Sequence, residues 1–142
     1  NMDVTGAYDG VADGVKIIQT NATTAINQQF KLVHLGDGVY SVINMNSQKS
    51  LEVEGLSLSD GAAIQQWADY KAANQQFILV KAPTDGYYKM IAKQSAKIIE
   101  ASSSVNQAPV RQYYDYNQSK AQWKLMPVAA LVNANGVGLD AK

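Results

Sequence analysis

Short runs in which apolar and polar residues alternate dominate this chain, as in Val39-Tyr40-Ser41-Val42-Ile43 and Tyr87-Tyr88-Lys89-Met90-Ile91. Turn residues interrupt the runs roughly every 8 to 12 positions, and period-two alternation is the signature of strands with one buried face. No stretch sustains a 3.6-residue period between helix caps. The pattern therefore predicts an all-β protein. The Asp37-Gly38 and Asp85-Gly86 pairs are strong hairpin signals between such runs.

The runs recur. Ala25-Ile26-Asn27-Gln28-Gln29-Phe30-Lys31-Leu32-Val33 returns 47 residues later as Ala72-Ala73-Asn74-Gln75-Gln76-Phe77-Ile78-Leu79-Val80, and again, in weaker form, as Ser119-Lys120-Ala121-Gln122-Trp123-Lys124-Leu125. Each copy follows a second block, namely Asp13-Gly14-Val15-Lys16-Ile17-Ile18-Gln19, Asp60-Gly61-Ala62-Ala63-Ile64-Gln65-Gln66 and Asn106-Gln107-Ala108-Pro109-Val110-Arg111-Gln112. Upstream of these lie Met2-Asp3-Val4, Leu51-Glu52-Val53 and Ile99-Glu100-Ala101. Three units of about 47 residues follow, each of about four strands. Such a unit cannot bury its own apolar face, so the three must close around a shared axis into one core.

A fourth block, Asp37-Gly38-Val39-Tyr40 and its counterpart Asp85-Gly86-Tyr87-Tyr88, opens the second and third units and has no counterpart at the start of the first. Leu131-Val132-Asn133-Ala134-Asn135-Gly136 resembles Ile43-Asn44-Met45-Asn46-Ser47, so the C-terminal segment is expected to supply the missing strand. Leu139-Asp140-Ala141 also resembles Met2-Asp3-Val4, and both cannot fill one place. Either Asp140 lies in a frayed tail or the chain is cut from a longer array. The expected organisation is one domain over 1–142, with repeats of approximately 1–35 plus 129–142, 36–83 and 84–128.

Length and charge agree with one domain and narrow the partners. The 142 residues suit a single core. Twelve basic and twelve acidic residues leave no net charge, hence no electrostatic footprint for nucleic acid or an anionic membrane. Cysteine is absent, which removes disulfides, zinc thiolates and thiol nucleophiles. No apolar run approaches the roughly 20 residues of a membrane span, so a soluble protein without membrane insertion is expected. The chain starts at Asn1 with no charged-then-apolar leader, as in a mature product or an excised domain. Abundant Asn and Gln with eight Tyr suit recognition of hydroxyl groups without charge, although turns and exposed strands use the same amides.

The Gln-x-Trp/Phe motif near each repeat end (Gln28-Gln29-Phe30, Gln75-Gln76-Phe77, Ala121-Gln122-Trp123), preceded by Leu-Asp/Glu-Val and an Ile-Gln-x-Trp block, resembles the ricin B-type lectins and the carbohydrate-binding modules related to them. The resemblance covers nearly the whole chain. It implies a β-trefoil of twelve strands with up to three shallow sugar sites, one per repeat. It further implies that each site uses the acid of the first block, an aromatic just after Ile-Gln, and the Asn of Asn-Gln.

A sugar presents a C–H face and a rim of hydroxyls, so a receptor needs a flat ring beside fixed donors and acceptors. In the second repeat these are Trp67, Glu52 and Asn74, with Gln65 and Gln75 behind them. Glu in place of Asp extends the carboxylate by about 1.5 Å and bears on which sugar is preferred. The third repeat retains Glu100 and Tyr113, adds Tyr114 and Tyr116 as further platforms, and has Arg111 and Lys120 where the second has Gln and Asn. Those cations are expected to pair with Glu100. The first repeat has Asp3, Asn27 and Gln28 but Ile18 and Thr20 in place of the Gln and the ring, so its platform depends on a tyrosine such as Tyr8. Phe30, Phe77 and Trp123 occupy symmetric positions and are read as core, with Gln29, Gln76 and Gln122 tying strands to loops.

Catalysis has less to stand on. His34 is the only histidine and has no nucleophile at a suggestive spacing. Strand alternation would set Glu52 and Glu54 side by side on one face, which does not flank a glycosidic bond, while Glu54 is expected to face solvent. Asp9 to Gly14 lacks the ligand density of a calcium loop and reads as two turns. The sequence therefore points to non-catalytic glycan binding without a cofactor, by a free lectin or a module of a larger protein. The partner class is galactose-type sugars by resemblance, and the expected location is outside the cell, with a cytoplasmic lectin as the alternative. A protein-interaction trefoil such as a hydrolase inhibitor is the competing reading. Sugar identity and oligomeric state stay open.

Overall fold

In the computed structural model the described residues are 2–4, 10–127 and 136–141, with backbone alone described at 3, 4, 127 and 136–141. They form twelve strands: β1 Met2–Val4, β2 Ile17–Gln19, β3 Gln29–Gly36, β4 Val39–Asn44, β5 Ser50–Val53, β6 Ile64–Trp67, β7 Phe77–Lys81, β8 Tyr87–Ala92, β9 Ile98–Ala101, β10 Val110–Tyr113, β11 Trp123–Pro127 and β12 Gly136–Ala141. Six of them close a barrel, since β12 pairs with β3, β3 with β4, β4 with β7, β7 with β8, β8 with β11 and β11 with β12, each antiparallel. The hairpins β1–β2, β5–β6 and β9–β10 form the remaining strands. Six barrel strands and three hairpins in threefold arrangement are a β-trefoil. Asp37 and Gly38 both take positive φ in the β3–β4 turn, the two-residue geometry that matches the twist of a hairpin.

The C-terminal segment does supply the first strand of the first repeat, further along the chain than the sequence match suggested. Gly138 pairs with Gln29 and Leu139 with Leu125. Leu139 thereby occupies the place of Val42 opposite Leu32 and of Met90 opposite Leu79. Leu131 to Asn135, the basis of the original match, lie outside the described residues. The rivalry between Asp3 and Asp140 resolves through register. Asp3 stands opposite Ile18, as Glu52 stands opposite Gln65 and Glu100 opposite Arg111, whereas Asp140 stands opposite Lys124 on the barrel strand β12.

Phe30, Phe77 and Trp123 are fully buried in one cluster with Met2, Ile17, Leu51, Ile64 and Ile99, as their symmetric spacing predicts. Trp123 also donates its indole N–H to the Ile99 carbonyl at 3.0 Å. Gln29 and Gln76 do tie strand to loop through the carbonyls of Thr24 and Lys71. Gln122 does not: it is buried with its Oε1 unpaired.

A second set of glutamines holds the three repeats to one another. Gln66 donates to the carbonyls of Gly10 and Ala12, both at 2.8 Å, and accepts from Ser47 Oγ at 2.7 Å. Gln112 likewise donates to Ser57 and Ser59 and accepts from Ser95. Gln19 reaches the carbonyls of Ser103 and Val105. Each side chain thus grasps the loop of the adjacent repeat, and the backbone groups of the same residues bond across the same seams.

Gln66 and Gln112 are fully buried, so removing one amide strands several polar groups away from water. Urea unfolding of Gln66→Leu is expected to lose about 2–4 kcal/mol on that basis, against under about 1 kcal/mol for Gln29→Leu, whose single bond lies at the surface.

Candidate functional site

The hairpin β5–β6 sets the second-repeat site. Antiparallel pairing places Glu52 directly opposite Gln65, and Gln65 Nε2 donates to Glu52 Oε2 at 2.8 Å. A one-turn 3-10 helix, Ala73–Gln75, brings Gln75 Nε2 to Glu52 Oε1 at 3.2 Å. The same side chain donates to the Ala68 carbonyl and accepts from the backbone N–H of Tyr70 and Ala72, so it fixes the loop after the platform. Asn74 donates through Nδ2 to the Val53 carbonyl at 2.8 Å, which leaves its Oδ1 out of that bond. Glu52 is only 7% exposed. It accepts two bonds of the roughly four a carboxylate can take, so an oriented acceptor remains for a ligand.

Trp67 is 39% exposed. The first repeat borders it: a Cβ at position 14 would lie 3.6 Å from its ring, and Asp13 accepts from the Ala68 N–H at 2.9 Å while pairing with Lys49. One concavity is lined by Glu52, Gln65, Trp67, Asn74 and Gln75 together with Gly55, Leu56, Tyr70 and Ala72. The five residues singled out in the sequence therefore do line one pocket, and four of its walls were not anticipated. Tyr70 is 73% exposed; its signal was an aromatic lying between the platform and the amide. Gly55 and Leu56 both have positive φ. The left-handed region costs a residue such as Leu about 1–2 kcal/mol, and nothing in the sequence marked that rim. Two other concavities, at Lys81 to Tyr88 and around Leu35, Ile78 and Lys93, lack the combination of acid, aromatic and amide.

β5 ends at Val53 and Glu54 begins a 3-10 turn, so Glu52 and Glu54 do not share a strand face as alternation had suggested. Glu54 is exposed and pairs with Lys16 at 3.0 Å, and Lys16 also donates to Gln65 Oε1 at 2.7 Å. His34 packs on Tyr40 and accepts from the Gly38 N–H.

The third repeat reuses the geometry with different groups. Glu100 is fully buried; its Oε2 accepts from Arg111 Nε at 2.8 Å and its Oε1 from Gln118 Nε2 at 2.9 Å. Lys120 lies 4.0 Å from Oε2 and donates to the Ser102 carbonyl, so both cations do pair with the acid. Gln118, absent from the sequence expectations, does the work of Gln75: it also donates to the Tyr114 carbonyl and accepts from the Tyr116 N–H. It stands three residues before Ala121, the position aligned with Gln75, and a motif search at fixed spacing passes over it. Tyr113, Tyr114 and Tyr116 cluster with ring centroids 5.0 to 6.4 Å apart, and the guanidinium of Arg111 lies 4.7 Å from the Tyr113 centroid.

In the first repeat Asn27 and Gln28 are buried, and Gln28 accepts from the Thr23 N–H as Gln75 does from Tyr70. The platform position is Thr20, whose hydroxyl bonds Asn106. The side chain of Asp3 and all of Tyr8 lie outside the described residues.

A β-trefoil whose hairpins carry an acid, an aromatic and an amide in one shallow pocket has the form of a lectin-type domain. The ricin-type β-trefoil lectin domain-like family matches residues 1–67 and 26–113. The chain belongs to that family. Among solved structures it is similar to ThreeFoil, a designed threefold symmetric protein, at 38% identity over 87% of each chain with a TM-score of 0.82. It is also similar to the exo-β-1,3-galactanase 1,3Gal43A from Clostridium thermocellum, at 28% identity and a TM-score of 0.79 over 87% of this chain and 26% of that one. A Polyporus squamosus lectin shares the fold at 17% identity and a TM-score of 0.69, over 85% of this chain and 41% of that one. The chain thus spans a minority of the length of the last two. No protein of curated function matches the sequence.

Replacing Gln118 should expose how much the third repeat relies on it. Gln118→Leu leaves buried Glu100 one donor short and is expected to lower the unfolding free energy by about 1–3 kcal/mol, measured by urea denaturation; Gln29→Leu, whose bond lies at the surface, should cost less.

Proposed function

We propose that the protein binds carbohydrate without catalysis, as a lectin or as the sugar-binding module of a larger protein, and that the second repeat carries the principal site. The observation behind this reading is the pocket that joins Trp67 to the oriented carboxylate of Glu52 and the amide of Asn74. The exposed indole covers the C–H face of a hexose, Glu52 accepts from its hydroxyls, and the unspent oxygen of Asn74 accepts from another. Family membership supports glycans as the ligand class. The galactanase relative is named for action on a galactan, which makes galactose-type sugars the first to test, and extracellular glycans the natural targets.

A single shallow site of this kind binds at about mM, near 4 kcal/mol. Useful strength then comes from a second site on the same glycan raising the effective concentration. The third repeat, with its tyrosine cluster, is the second site in this reading. The first, with Thr20 at the platform position, contributes least.

Glycan-array and titration measurements on Trp67→Ala and Glu52→Gln should each show at least about tenfold weaker binding than the parent, the equivalent of 1.4 kcal/mol. Variants that bind like the parent, or a parent that binds no glycan, would refute the assignment.

A further inference from the structure

The second and third repeats place opposite charge around the same pocket position. In the second, the acid is held by two neutral amides, Gln65 and Gln75. In the third, the partner opposite the acid is Arg111, and Lys120 stands in the aligned place of Asn74. Each acid has both oxygens bonded, but Glu100 is fully buried where Glu52 is 7% exposed, and it is paired with two cations, so it offers a ligand hydroxyl less than Glu52 does.

Arg111 is the group left facing outward. Its Nε is anchored to Glu100, its plane lies over Tyr113 at 4.7 Å, and its side chain is 30% exposed. The two terminal nitrogens have no partner among the described residues, and together they form the flat fork that matches a carboxylate. A guanidinium held from behind by a buried acid and from one face by an aromatic ring has little orientational freedom left to lose on binding. Lys120, also 30% exposed, adds a second positive charge. One negative and two positive groups meet here. Of the other charged groups, Asp115 takes a 2.7 Å bond from Lys89, which also donates to Asn117 Oδ1.

We infer that the third-repeat site is specific for acidic sugars, taking the carboxylate of a uronate or sialate-type residue on Arg111 and Lys120 while a tyrosine receives the ring. This rests on the carbohydrate-binding reading above and divides it, with neutral hexose at the second repeat and acidic sugar at the third. A carboxylate at the second site would instead meet Glu52 and be repelled.

Galacturonate and galactose differ only at the carboxylate-bearing carbon, so the test is an amide-resolved NMR titration of the parent and of R111Q/K120N with each sugar. The double variant installs the Gln and Asn that the second repeat already uses beside its own buried acid, and its thermal unfolding verifies folding. Galacturonate is expected to shift the Tyr113 to Gln118 amides of the parent with a Kd at least about tenfold below that of galactose at those residues, more weakly in high salt, and the preference is expected to vanish in the variant. Equal affinities in the parent, no shift by galacturonate at the third repeat, or a preference that survives in the variant would overturn the inference. If galactose still titrates around Trp67 in such a case, the second-repeat reading stands; if neither sugar shifts either repeat, both fail.

Discussion

Three glutamines, two of them fully buried, join the repeats of this molecule to one another. Each hairpin of the trefoil has its own strands but cannot cover its own apolar side, and the seam between neighbours must satisfy the loop carbonyls that face it. Gln19, Gln66 and Gln112 do this in a ring, each side chain in one repeat and its acceptors in another. Because the acceptors are main-chain carbonyls, the residues that carry them differ freely: Gly10 and Ala12 in one seam, Ser57 and Ser59 in the next. Symmetry is imposed where the backbone needs it and relaxed where side chains face solvent.

That separation explains how one scaffold carries different side chains at equivalent positions of its repeats. The pocket residues lie one position from the latch, Gln65 and Trp67 on either side of Gln66, so strand alternation turns the latch inward and its neighbours toward the pocket. Exchanging Gln65 for its counterpart Arg111, or Trp67 for Tyr113, changes what the pocket presents while the seam and the aromatic core of Phe30, Phe77 and Trp123 are untouched.

Much of this was readable from the chain because the signals are periodic. Alternation marks the strands, the spacing of about 47 residues marks the repeats, and the resemblance to ricin B-type lectins groups Glu52, Trp67 and Asn74. What escaped were contacts that leave the aligned register. Gln118 reaches Glu100 from a position three residues early. Leu56 reaches the rim through two successive left-handed residues. The end of β5 at Val53 takes Glu54 off the strand, where alternation had placed it. The last barrel strand lay beyond the stretch that most resembled it, since hairpin register, with Leu139 opposite Leu125, determines its place more firmly than local likeness does.

The position of β12 also has a consequence for how the barrel comes into being. It is the last of the described strands, yet it sits between β3 and β11, and Gly138 pairs with Gln29 across most of the sequence. Until β12 docks between them, β3 and β11 each present an open edge. Contacts of such long range close slowly. The docking of β12 is therefore the step that turns an open sheet into a closed barrel and joins the first repeat to the third.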